Sequence, residues 1–354
     1  MKRILITPLN WGLGHATRCI PIINELLHQG CEVIIGTDGR ALHLLKAEYP
    51  SLTILELPAY NISYRTNNMI ANIAPQILKV LKVIQKEHQI IQKIVKEYQI
   101  DAIISDNRYG CYSKNVYSIF LTHQLNIKIP NQTIENGVAF FNKKLIKRFD
   151  ACWIPDYEKE EESLAGILSR NNGLKNIQYI GTLTRMVYSQ TKIKRDILVI
   201  LSGPEPQRTY FEEKVIKQLK ELPLKSLIIK GKTETHKKYR VNTNVMIQNF
   251  MTAPQLNQAI LESKFIITRS GYSTIMDLAV LGTKALFIPT PGQTEQEYLA
   301  KYFNKKNIYL TQSQKELDVA KALKTVPNYL GIKTKENTIL PKVIAQFLIH
   351  ISKK

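Results

Sequence analysis

The segment from Arg269 to Ala300, RSGYSTIMDLAVLGTKALFIPTPGQTEQEYLA, holds the residues whose types and spacing speak most clearly of chemistry. An apolar run, KFIIT from Lys264, delivers the chain into Ser270-Gly271, and a helical pattern follows at once. A helix that starts on such a turn points its free backbone N–H groups and the positive end of its dipole at whatever lies above, so a diphosphate fits there. Arg269, Ser270, Gly271, Ser273 and Thr274 would build that cradle. Asp277 lies six residues beyond Gly271, less than two turns into the helix, where a carboxylate reaches ribose hydroxyls rather than phosphates. The run ALFIP then ends in PTPGQTEQE, whose Gln296 and Glu297 are polar, adjacent and near a helix start. A second constellation follows the first strand, where Gly12-Leu13-Gly14-His15 precedes Arg18. The glycines let the backbone turn tightly and approach a ligand, and a histidine at a helix N-terminus is biased towards the neutral, proton-accepting form.

These groups need elements to hold them, and the chain supplies alternating strands and helices. KRILITPL, the helix around CIPIINELLHQG, CEVIIGT, ALHLLKAEY and LTILELP give a βαβαβ rhythm. Residues Ile70 to Tyr98 form a long amphipathic pattern, DAIISD is a strand ending at Asp106, and SIFLTHQ and ACWIPD continue the series. After the polar connection SQTKIKR the plan repeats: LVILSG, FEEKVIKQLKEL, SLIIKG, VMIQNF, APQLNQAILES and then the segment described above. LPKVIAQFLIHISKK reads as an amphipathic closing helix able to pack back on the first half. Such alternation implies parallel sheets with right-handed crossovers and helices on both faces. At 354 residues, two α/β domains are expected, residues 1–190 and 191–354.

The stretch from Arg269 to Ala300 resembles the C-terminal signature of the MurG-like family 28 glycosyltransferases, and the N-terminal half is similar, more weakly, to family 1 and family 28 enzymes. The resemblance implies a GT-B fold, two Rossmann-like doubly wound parallel-sheet domains facing a central cleft. It also implies inverting transfer of a hexosyl group, N-acetylhexosaminyl being one option, from a UDP-sugar to an acceptor hydroxyl. By its pattern Asp277 stands at the ribose-binding acid, Gln296 at the first sugar-binding glutamine, and Glu297 replaces the second, which bears on the choice of sugar. Ser202, Gly203 and Arg208 in LSGPEPQR occupy the place of a glycine-rich loop facing the diphosphate, and Phe250 that of the region packing on uracil. Gly12, Gly14 and His15 match a shorter version of the family's glycine-rich loop and histidine, with Asn10 and Trp11 departing from it. His15 is then the expected base, paired with Asp106 as in family 1 enzymes. Arg18, Asn107, Arg108, Tyr109 and His123 are expected to contact the acceptor.

Composition limits the alternatives. The formal net charge is +20, divided +6 and +14 at Gln190, yet the basic residues are scattered over helical patterns with no basic arm, zinc finger or base-stacking strand, so nucleic acid is not an expected partner. The charge, the stretch Ile70 to Tyr98, and Val138, Phe140 and Phe141 followed by Lys143, Lys144, Lys147 and Arg148 suggest a face that could rest on an anionic membrane to reach a lipid-linked acceptor. The N-terminal strand is wrongly flanked for a signal peptide and no window has the length of a membrane span, so a cytoplasmic protein, peripheral at most, is expected. Cys19, Cys31, Cys111 and Cys152 lack the close pairing of a zinc site or a disulfide framework. No two of the eight aspartates stand in an Asp-x-Asp pair, so metal-independent chemistry without a cofactor is expected, the sugar nucleotide being substrate. A GT-B UDP-sugar 2-epimerase and a noncatalytic sugar-nucleotide or membrane-surface protein are the two other functions that these features accommodate.

Overall fold

A computed structural model describes residues 1–61, 74–129, 131–232, 237–332 and 338–352. They form two compact units, one of residues up to Thr184 together with the C-terminal helix, the other beginning at Arg185. In both units the alternating strands and helices of the sequence are realised as a mainly parallel sheet.

In the first unit, strands β1 (Arg3–Pro8), β2 (Glu32–Thr37), β3 (Thr53–Glu56), β4 (Ala102–Asp106), β5 (Tyr117–Leu121), β6 (Ala151–Ile154) and β7 (Ile177–Tyr179) make one sheet in the order β3-β2-β1-β4-β5-β6-β7. Every pairing is parallel. Strands such as ILIT in β1 and AIIS in β4 are buried throughout because helices cover both faces, which is why they read as continuous rather than alternating apolar runs. The helices are α1 (Leu13–His28), α2 (Gly39–Glu48), α3 (Ile77–Glu97) and α4 (Gln132–Ile146). Ile91, Ile94 and Val95 of α3 pack on Leu5, Ile34 and Ile103, while Ile146 of α4 joins Phe120, Phe149 and Ile154. The amphipathic stretch from Ile70 therefore begins as α3 only at Ile77; residues 70–73 lie outside the described residues.

The second unit repeats the plan with β8 (Arg195–Ile200), β9 (Ser226–Ile229), β10 (Lys238–Arg240), β11 (Val245–Gln248), β12 (Ser263–Thr268), β13 (Ala285–Phe287) and β14 (Leu310–Thr311), ordered β10-β11-β9-β8-β12-β13-β14. Among the described residues only β10 runs antiparallel, along β11 at the edge. Helices α5 (Gln207–Lys220), α6 (Ala253–Leu261), α7 (Tyr272–Leu281), α8 (Thr294–Lys305) and α9 (Val319–Thr325) flank the sheet. A capping box, Thr252 with Gln255, starts α6, and left-handed Gly282 ends α7. Phe211, Val215 and Leu219 of α5 pack on Ile197, Val199, Phe265 and Ile267. The closing helix α10 (Ile339–Ser352) packs on α1 in the first unit, Phe347 meeting Trp153 edge-on at 5.5 Å between centroids.

Strand order reverses between β1 and β4 in one sheet and between β8 and β12 in the other. In open α/β sheets the crevice at such a switch point, beyond the carboxyl ends of the strands, is where ligands bind.

Candidate active site

At the first switch point, β1 and β4 lie side by side with Pro8 opposite Asp106. The chain leaves β1 and turns at Gly12, whose φ of 80° suits glycine, and α1 begins at Leu13. Gly14 thus lies in the first turn of the helix rather than in a loop, and His15 stands there with it. This places the imidazole beside the fully buried Asp106, His15 Nδ1 at 3.0 Å from Oδ1. Burial opposes the Asp106 charge, but Arg18 and then His15 outweigh it and hold the carboxyl well below the usual carboxylate range. Arg18 Nε donates to Oδ2 at 2.7 Å, and Nη1 lies 2.9 Å from Nδ1 of His123, itself buried just after β5. Asn107, with a left-handed φ of 57°, donates from Nδ2 to Asp106 Oδ1 at 3.3 Å. An aspartate that fixes the proton on one imidazole nitrogen leaves the other as acceptor, so the pair can take a proton from a hydroxyl.

Arg108 and Tyr109 do not serve as the sequence suggested. Arg108 is fully buried: Nε donates to Glu87 at 2.7 Å, Nη1 to Asp38 at 2.6 Å and Nη2 to the Pro58 carbonyl at 2.6 Å. Two carboxylates, one on α3 and one at the start of α2, and a backbone carbonyl draw it inward, which no local pattern reveals. A side chain on Gly110 would meet the Ile84 carbonyl at 2.3 Å, so this turn approaches α3 closely enough for its N–H to reach Glu87 at 3.2 Å. Tyr109 turns the other way, stacking on Phe120 at 4.9 Å and donating to Asn142 at 2.8 Å.

At the second switch point, β8 opens into Ser202 and Gly203, both exposed, while β12 ends in Arg269, Ser270 and Gly271 ahead of α7. Gly203 has φ 104°, and a side chain there would meet Thr290 Oγ1 at 3.3 Å and Arg269 Nε at 3.8 Å. Ser270 donates to the Gln296 carbonyl at 2.7 Å, Gln296 Oε1 accepts from Thr290 N at 2.8 Å, and Glu297 accepts from Gly292 N at 2.9 Å. These bonds tie the PTPGQ loop to the turn, so Gln296 and Glu297 shape the loop as well as border it. Ser273, Thr274 and Asp277 are half-buried on the first two turns of α7, and Phe250 follows β11.

Two arginines here depart from the expectation of direct phosphate contact. Arg208 is mostly buried and paired with Glu205 and, at 3.6 Å, with Glu212, so its charge is already answered. Arg269 is fully buried beneath the turn, 4.3 Å over the Phe211 ring, and donates to the carbonyls of Ile288, Pro289 and Gln207 and to Gln314 Oε1. None of these acceptors carries charge, Nε has no hydrogen-bond partner among the described residues, and burial brings the guanidinium down to about 9. The sequence places Arg269 in the cradle itself; that it lies buried with no carboxylate partner among the described residues depends on contacts from distant elements.

Known proteins share this architecture. Residues 2–151 match the domain described as glycosyl transferase family 1, and residues 197–338 the glycosyltransferase family 28 C-terminal domain. A Methanosarcina mazei protein described as an uncharacterized glycosyltransferase is 24% identical over 324 residues, spanning 83% of this chain and 81% of its own. A Listeria monocytogenes UDP-N-acetylglucosamine--N-acetylmuramyl-(pentapeptide) pyrophosphoryl-undecaprenol N-acetylglucosamine transferase is 22% identical, spanning 92% and 90%. Among solved structures, spinosyn forosaminyltransferase SpnP superposes with a TM-score of 0.67 at 13% identity, covering 99% of both chains. Acinetobacter baumannii MurG does so with a TM-score of 0.56 at 13% identity, covering 100% of this chain and 95% of its own. The chain is therefore a glycosyltransferase of the GT-B fold, with a family 1-type N-terminal portion and a family 28 C-terminal domain.

Proposed function

We propose that the protein transfers a hexosyl group from a UDP-sugar to an acceptor hydroxyl with inversion and without a metal ion. The observation that carries the donor half is Arg269, a buried cation with no counter-ion among the described residues, next to the turn that leads into the N-terminus of α7. A buried charge without an opposite charge is costly, and an anion over the turn relieves that cost while accepting backbone N–H groups. A nucleoside diphosphate supplies such an anion, and the half-buried carboxylate of Asp277 then lies along α7 for the ribose.

In the reaction, the neutral nitrogen of His15 takes the proton of the acceptor hydroxyl. The hydroxyl oxygen forms its bond to the anomeric carbon as the bond from that carbon to the diphosphate breaks. The departing UDP carries the negative charge, which the α7 terminus and Arg269 stabilise. Asp106 keeps the imidazole oriented throughout. Asn107, which bonds Asp106, and His123, which bonds Arg18, are assigned to the acceptor together with Gly12 and Gly14.

Donor binding is tested by Asp277→Ala. Loss of charge-assisted hydrogen bonds to the ribose is expected to weaken UDP binding by roughly 1.5 to 3 kcal/mol in calorimetry. Unchanged affinity in the folded variant would remove Asp277 from the nucleotide site.

The acceptor we infer is lipid-linked, met at the anionic cytosolic surface of a membrane. Support comes from the net charge of +20 and from apolar side chains left exposed beside lysines, Phe140 and Phe141 on α4 and Ile77, Leu78 and Leu81 on α3. Among the described residues no helix is long and apolar enough to cross a membrane. Cosedimentation with anionic vesicles at low salt, lost at about 1 M salt where the screening length falls to about 3 Å, is the expected result. Failure to sediment with anionic vesicles in any salt would favour a soluble acceptor.

A further inference from the structure

The resemblance gives a histidine and an aspartate, but the structure sets a third side chain, a cation, against both of them. Arg18 lies three residues beyond His15 on the same face of α1 and is almost wholly buried. Its guanidinium forks onto Asp106, Nε to Oδ2 at 2.7 Å and Nη2 to Oδ1, the same oxygen that lies 3.0 Å from His15 Nδ1. Nη2 is also 3.0 Å from His15 Nδ1, and Nη1 is 2.9 Å from His123 Nδ1. Ionisable groups reach this cluster from each element packed on it: His15, Arg18 and Cys19 from α1, Asp106 from β4 and His123 from the segment after β5. Burial, then the Asp106 charge, raises the Cys19 thiol, so Cys19 adds no charge at neutral pH.

An aspartate paired with histidine alone does two things, orienting the ring and attracting a proton onto it. The second effect opposes a base, because an imidazolium cannot accept. A guanidinium fork on the same carboxylate cancels much of its field, while Oδ1, which the fork shares with the ring, still accepts the Nδ1 proton.

We propose that Arg18 is a positioning residue that separates these two effects. It neutralises Asp106 so that the carboxylate aligns His15 without holding it as the imidazolium, and by donating to His123 Nδ1 it keeps the proton of that ring on Nε2. The proposal rests on His15 being the base, and its primary test does not depend on turnover.

Imidazole titrations of His15, followed by NMR on protein labelled with 15N-histidine and assigned by the signal missing in H15A, provide that test. In R18Q the uncompensated Asp106 should move the His15 titration up by about one pH unit or more. In D106N it should move down, because the Arg18 cation then faces the ring without a partner. In the double variant R18Q/D106N, which buries neither charge, it should lie about one unit above D106N. If R18Q does not fold, the comparison of D106N with the double variant carries the test alone. Coincident His15 titrations in D106N and R18Q/D106N would overturn the proposal, whatever either change does to stability. The acid limb of the kcat/KM profile should follow the same order. Wild-type turnover in H15A would instead reject His15 as the base, while the NMR result for Arg18 would stand or fall on its own.

Discussion

His15→Ala is expected to lower turnover by roughly 10²- to 10⁴-fold, the range for loss of a positioned general base, with UDP affinity little changed. The size follows from the geometry: the ring sits in the first turn of α1, half-buried, with Nδ1 held at 3.0 Å by a carboxylate that is fully buried. UDP affinity is spared because the nucleotide is assigned to the β8/β12 switch point, whose residues belong to the other compact unit. Steady-state assays of UDP release paired with calorimetry of UDP binding separate the two effects. Turnover equal to wild type in the variant would remove His15 from the chemistry. A matching loss of UDP affinity would show that the change acts through binding.

Arg108→Met should destabilise the first unit by about 3 to 5 kcal/mol, the usual result of stripping one partner from a buried ion pair. Two carboxylates lose their cation at once: Glu87, fully buried, and Asp38, almost so. At roughly 2 to 4 °C per kcal/mol the melting temperature falls by roughly 6 to 20 °C in calorimetry. The loss should depend on pH in a definite direction. Burial already raises the Glu87 carboxyl against the pull of Arg108, and without Arg108 it rises further. A carboxyl with a raised folded-state pKa binds more protons folded than unfolded, so stability falls as pH rises through that interval and returns as pH is lowered. The variant should therefore regain part of its melting temperature near pH 5. A melting temperature within about 2 °C of wild type at neutral pH would contradict the assigned cluster.

Much of the scaffold was legible because parallel strands covered on both faces must be continuous apolar runs. KFIIT, DAIISD and LVILSG declared themselves, and the small residues after them marked the turns. The helix following His15 and the strand ending at Asp106 were equally plain, and the β1–β4 register with Pro8 opposite Asp106 brings the two together. What the sequence hid are charges whose partners come from distant elements. Arg108 reads as an acceptor contact, and nothing local marks Glu87 and Asp38 as its partners until α2, α3 and β4 converge. The spacing of three from His15 to Arg18 does put both on one helix face, and that signal could have flagged Arg18 as part of the catalytic cluster. Its fork on Asp106 is a tertiary contact no spacing announces. Helix α4 is hard to read because QTIENGVAFFNKKLI carries a mid-helix Gly137 and exposed aromatics; its start is set by the Asn131 side chain accepting from Ile134 N at 3.1 Å. Edge strand β10, KYR, is exposed along its length and has no apolar face to betray it.

The most direct measurement is a crystal structure with UDP. The account predicts the diphosphate over the Ser270-Gly271 turn and Gly203, above buried Arg269, with the ribose hydroxyls at Asp277. Nucleotide bound anywhere else, or no nucleotide in crystals soaked at millimolar UDP, would contradict the assignment of this switch point as the donor site.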